Sequence, residues 1–183
     1  NTDADTDLYN LMPPNLTLAI NQNVGSWSNN LAMILVDEKD DVNSTRQERR
    51  QMETWAHGQA IADELGIERS EDDRIRNIVV LGVNTFGWSF KVRGMEVPEE
   101  QPALRLTSPS GESWEYGNPD SDQVISGMAH EFAQVVTQTR NIADTQLSCE
   151  GDTAELWMRY AQCFAGAPAE PPAQGVRHTK SPA

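Results

Sequence analysis

Cysteine, basic side chains, long apolar runs and the common cofactor signatures are all scarce or missing in this sequence, and each shortage removes a class of function. Cys149 and Cys163 are the two cysteines, too few for a disulfide framework, and their places on an expected strand and an expected helix suit buried thiols. A cytoplasmic setting is therefore expected. Only 14 lysines and arginines stand against 28 acidic residues, a formal charge of -14 that repels phosphate backbones and anionic lipid surfaces. Neither nucleic acid nor a membrane is an expected partner. No stretch approaches the roughly 18 apolar residues of a membrane crossing, and the opening Asn1-Thr2-Asp3-Ala4-Asp5 lacks the basic-then-apolar pattern of a leader. The first residue is not a methionine, as expected of a fragment or a processed form. GxGxxG, Walker, GxSxG and HExxH sequences are absent, so dinucleotide, P-loop, hydrolase and zincin readings have no anchor.

What is present is a chain of 183 residues whose apolar side chains cluster in periodic segments despite a mean hydropathy of -0.58. That length suits one ordinary domain or two small ones. Residues 1–42 show no clear pattern beyond a helical stretch at 27–36, because Pro13, Pro14 and the polar run 21–30 interrupt the rest. A helix is expected from Ser44, with Gln47 three residues on as its capping partner, to Leu65 before Gly66. Gly58 in its middle would allow close approach of a neighbouring helix. A second helix is expected from Ser70 to Arg93, burying Ile75, Ile78, Val79, Gly82, Phe86 and Phe90. The short loop between the two helices predicts antiparallel packing, the local unit of a bundle.

After Gly94 the texture changes. Val97 to Pro102 reads as an exposed linker and marks a domain boundary. Beyond it, 103–107 and 113–116 read as a hairpin and 123–126 as a further strand. A helix follows at 128–140, then a strand at 145–149, then a helix capped by Asp152 with Glu155 at its third position. The Pro/Ala-rich stretch from Ala167 reads as a flexible tail. The expected organisation is thus a helical region over 1–96, a small α/β domain over 103–166 and a tail over 167–183.

Among the polar residues, Glu53 and His57 form the best candidate for chemistry. Four residues apart on a helix they lie about 40° apart around its axis, so a carboxylate and an imidazole can meet one divalent ion. Spacing alone equally allows a helix-surface hydrogen bond between them or a histidine packed beside Trp55. His130 and its neighbour Glu131 sit about 100° apart and do not chelate as a local pair.

The run Met52-Glu53-Thr54-Trp55-Ala56-His57-Gly58-Gln59, followed by Asp63 and Leu65-Gly66, resembles the third helix of mycothiol-dependent maleylpyruvate isomerase-like proteins, a branch of the DinB-like metal-binding four-helix bundles. The likeness continues through Leu81-Gly82-Val83, Gly87-Trp88, Val135-Val136-Thr137-Gln138 with Arg140, and Ala161-Gln162-Cys163-Phe164-Ala165-Gly166, about residues 50–168 in all. It implies an α+β chain: a partial DinB-like bundle followed by a small α/β domain resembling sterol carrier proteins. It further implies a zinc-like divalent metal bound by a glutamate and a histidine, matched by Glu53 and His57, and by a histidine from an earlier helix. Residues 1–46 contain no histidine, so that first ligand has no counterpart here.

Two functions follow. In one, a metal-dependent isomerase or transferase uses a low-molecular-weight thiol or water on a small-molecule substrate, with Arg140 orienting an anionic group; surface charge is the plainer role for that arginine. In the other, a non-catalytic small-molecule-binding or interaction protein keeps a degenerate metal site. A homodimer would offer a way to complete the bundle or the metal shell, since two half-bundles related by a two-fold axis make four helices.

Overall fold

The structure is a computed structural model that describes residues 42–177. The expected helix at 27–36 and His178 lie outside the described residues. Helix α1 (Val42–Leu65) begins two residues before the expected Ser44. Its buried residues Met52, Trp55, Gln59, Ala62 and Asp63 form one stripe at helical spacing. Gly66, at φ 67°, ends it, and the Ile67 amide reaches back to the Ala62 carbonyl.

The expected second helix is divided. Asp72, not Ser70, caps its start: the carboxylate accepts from the Arg74 amide at 2.8 Å and opens a 3₁₀ turn over Asp73–Ile75. Helix α2 (Arg76–Asn84) and helix α3 (Phe86–Lys91) follow, separated at Thr85. The Thr85 hydroxyl donates to the carbonyls of Leu81 and Gly82 at 2.8 and 3.1 Å, and this competition with the backbone ladder accompanies the break. Ile75, Ile78, Val79, Gly82, Phe86 and Phe90 are all buried, as their spacing predicts.

Strands β1 (Ala103–Thr107), β2 (Ser113–Tyr116), β3 (Val124–Met128) and β4 (Ser148–Glu150) form a mixed sheet in the order β2-β1-β3-β4. β1 runs antiparallel to β2 and parallel to β3, and β4 runs antiparallel to β3. Leaving β2, the chain must pass the start of β1 to reach its other side. Gly117 makes that passage at φ 84°, where a Cβ would stand 3.2 Å from the Ala103 Cα and the Pro102 carbonyl oxygen. Leu104, Leu106, Trp114 and Ile125 share the buried face, while Arg105, Thr107, Ser113 and Glu115 share the open one.

Helix α4 (Ala129–Val136) stops four residues short of the expected Arg140 because Gln138 takes a left-handed φ of 55°. The amides of Thr139 and Arg140 then fold back onto the Gln134 carbonyl. The expected strand at 145–149 shrinks to β4 because Asn141 and Thr145 close a 3₁₀ turn over Ile142–Asp144. Helix α5 (Asp152–Tyr160) is capped otherwise than expected: Gly151 holds the cap position, and the Gln123 side-chain carbonyl accepts from the Thr153 amide at 2.9 Å.

Helices and sheet share one interior. At Gly82 on α2 a Cβ would stand 2.9 Å from Val136 Cγ2 and 3.0 Å from Phe132 Cε1, so the absence of a side chain there sets how closely α2 approaches α4. Trp157 of α5 is fully buried, edge-on to Phe86 of α3 at 5.0 Å and to Phe132 of α4 at 5.8 Å. The segment 97–102 joins the two halves, and Gln101 donates to the Val83 carbonyl at 2.8 Å. Past Gly166 the chain is held by side chains: Gln138 and Arg93 donate to the Ala169 carbonyl, Asn141 to that of Pro172, and Asp144 accepts from the Gly175 amide. The whole is a mixed α+β arrangement.

Candidate functional site

Helix α1 presents three faces. At 100° per residue, its buried stripe covers an arc of about 100°, and Glu53 and His57 lie on a shoulder roughly 150° from the centre of that arc. Glu53 is half-buried and His57 exposed. The structure thus keeps the two residues together, one turn apart, off the core. No group of three histidine, cysteine, aspartate or glutamate side chains able to hold a metal occurs among the described residues. His130 is the second residue of α4, half-buried.

The third face of α1 opens on a cleft of about 430 Å³ between this helix and the loop that leads to α2. Its wall is held by hydrogen bonds. Trp55 Nε1 donates to Glu71 at 2.8 Å, and Arg69 donates to the Trp55 carbonyl at 2.8 Å while its guanidinium lies 5.4 Å from the centre of the Trp55 ring. Gly58 finds its explanation here: a Cβ would stand 3.2 Å from Arg69 Nη1, so the close neighbour is a guanidinium, not a helix. Gln51 ties α1 to the start of α2, donating to the Arg74 carbonyl and accepting from Asn77.

Arg140 occupies a place that spacing did not suggest. It is buried, 8% exposed, with Nη2 2.7 Å from Asp63 Oδ1, so the surface-charge role does not apply. The same carboxylate oxygen accepts from Gln59 at 2.8 Å. This triad joins the C-terminal part of α1 to the turn after α4. Asp63 was legible only as a member of a motif; its place in the buried stripe beside Gln59, four residues earlier, is the signal that marks it as paired.

Both cysteines are free thiols. Burial, with the Glu155 carboxylate adding to it, pushes Cys149 up to about 11, and full burial pushes Cys163 up to about 12. At neutral pH both are protonated, which makes them poor nucleophiles and poor metal ligands. Among the described residues no helix is long and apolar enough to cross a membrane.

No protein-family model and no solved structure matches the chain. The chain is similar to two uncharacterized proteins of Mycobacterium tuberculosis, from strain CDC 1551 / Oshkosh and strain H37Rv. Each is 40% identical to it over 119 residues, which is 65% of this chain and 46% of the relative. The chain therefore spans about half the length of the curated relatives it matches.

Proposed function

We propose that this chain is a divalent-metal-binding protein of the mycothiol-dependent isomerase or thiol-transferase kind, with Glu53 and His57 as two ligands of a zinc-like ion. In this reading α1, α2 and α3 belong to a partial DinB-like bundle, and the sheet with α4 and α5 is a small sterol-carrier-like domain. The observation that carries it is the placement of Glu53 and His57 one turn apart, off the buried stripe of their helix.

A carboxylate and an imidazole are the donor types such an ion takes, and a third protein donor would come from outside the described residues or from a second copy of the chain. When bound, a divalent ion supplies Lewis-acid activation of a coordinated thiol or water. The chain's own thiols are held protonated by burial, which favours a low-molecular-weight thiol from solution as the nucleophile. Arg140 serves this reading by fixing α1 through Asp63, its guanidinium being engaged there. The lack of a three-donor group among the described residues favours a second reading, a non-catalytic binding protein with a degenerate site.

Metal analysis of the chain purified under zinc-replete conditions separates the two. The first reading expects stoichiometric metal that Glu53→Ala and His57→Ala each abolish while the fold persists. Metal at background in the parent chain would overturn it and leave the second. Light scattering on the metal-loaded protein tests whether a dimer completes the shell, and a monomeric mass rules that source of the third donor out.

A further inference from the structure

The cleft beside Trp55 points to a second binding site, lined by residues of α1 other than Glu53 and His57. Its acidic groups are engaged in its own wall. Glu71 accepts from Trp55 Nε1 at 2.8 Å and faces Arg69 Nε at 3.5 Å. Asp72 caps the 3₁₀ turn by accepting from the Arg74 amide. Of its cations, Arg69 is held in that wall, and Arg50 and Arg74 remain. Arg50 is exposed and makes no hydrogen bond or ion pair among the described residues. Arg74 is 85% exposed at its side chain, with only a 3.7 Å approach to Asp72, a contact too solvated to hold the head in place.

Thr54 and Ser70 bring exposed hydroxyls to the same cleft, while Trp55 and Ile75, 7% and 2% exposed, line it with little open surface. Its 430 Å³ is within the range of small-molecule sites, and its wall is already tied by hydrogen bonds, so binding has only the Arg50 and Arg74 heads to order. In a chain of net charge -14 the long-range field repels anions, so an anionic ligand must be drawn by local donors. The cleft concentrates such donors.

We propose that this cleft binds a small anion, a carboxylate or phosphate group taken by Arg50 and Arg74. Guanidinium pairs with either group through parallel N–H donors. This inference stands apart from the metal reading, since Glu53 and His57 do not line the cleft.

The test is titration calorimetry of the whole chain with phenyl phosphate, benzoate and inorganic phosphate. Saturable binding of at least one of the three is expected, and the strongest names the group. An Arg50→Ala/Arg74→Ala variant, both positions being exposed, is expected to fold normally by circular dichroism and to bind at least about tenfold more weakly. Arg159→Ala, at an exposed arginine of α5 outside the cleft, and Glu53→Ala/His57→Ala are expected to bind as the parent does. The proposal is overturned by no saturable binding of any of the three probes, by an unchanged affinity in the double arginine variant, or by an equal loss in Arg159→Ala.

Discussion

The seam where the helices meet the sheet half and the outer shoulder of α1 both carry charged residues, and they treat them in opposite ways. At the seam Asp63 and Arg140 are buried, 2.7 Å apart, with Gln59 on the same carboxylate oxygen. On the shoulder, Glu53 is half-buried and His57 exposed. A buried pair has lost its hydration and depends on its partner, so its identity is a condition of folding. An exposed imidazole keeps its hydration, so the fold itself sets little requirement on it. The difference teaches where function can reside: six residues separate His57 from Asp63, yet only the former is exposed.

The strongest way to break this contrast is to remove one side of the seam. Arg140→Met leaves the Asp63 carboxylate buried without its cation and is expected to cost about 3 to 5 kcal/mol, read as a lowered midpoint in urea unfolding. Asp63→Leu combined with Arg140→Met should cost clearly less than the two single changes added together, because no charge is then stranded. Additive costs would show that the pair is not coupled. Next in size is Gly82→Ala, whose methyl would enter the space of Val136 and Phe132 at 2.9 to 3.0 Å. A loss of about 1 to 3 kcal/mol is expected, with both halves unfolding in a single transition. Two separate transitions would mean that the seam divides the molecule rather than joining it.

A third prediction concerns the thiols behind the seam. Their folded values, about 11 for Cys149 and about 12 for Cys163, stand above the ordinary range, so the folded state binds protons more tightly than the unfolded chain. The stability this linkage holds is complete below about pH 9 and is lost as pH rises from there through the folded values. Denaturant midpoints should therefore fall above pH 9, and Cys163→Ala should flatten that fall. At pH 7 the native chain should resist alkylation at Cys163.

The two regions were also unequally legible. In the sheet half, alternation placed β1 and β2 over the residues observed, because one buried face and a turn at Pro109 and Gly111 leave little freedom of register. The core face of the second helix was equally plain, but its break was not. Thr85 is compatible with a helix by propensity, and only its hydroxyl bonds to Leu81 and Gly82 reveal the competition. The ends of α4 and α5 were missed for a related reason: a left-handed Gln138 and a cap lent by Gln123 of another element are invisible to local patterning. Local pattern shows Arg140 only as a charged residue, because its partner lies 77 positions away, beyond any local spacing. Glu53 and His57, being four apart on one helix, needed no such knowledge.

The smallest effect on stability is expected from the shoulder, and that smallness makes it informative. Glu53→Ala and His57→Ala remove side chains outside the buried stripe, so each should shift unfolding by no more than about 0.5 kcal/mol in metal-free buffer. Zinc should raise the unfolding midpoint of the parent chain, since a ligand that binds only the folded state stabilises it by mass action, and neither variant should respond. A large destabilisation in metal-free buffer would place Glu53 or His57 with Asp63 and Arg140 as a structural group, and the contrast between seam and shoulder would fail. A zinc response retained by both variants would keep the contrast but move the ion elsewhere in the chain. Only the combination of a nearly neutral change without metal and a lost response with it assigns the shoulder to binding and the seam to folding.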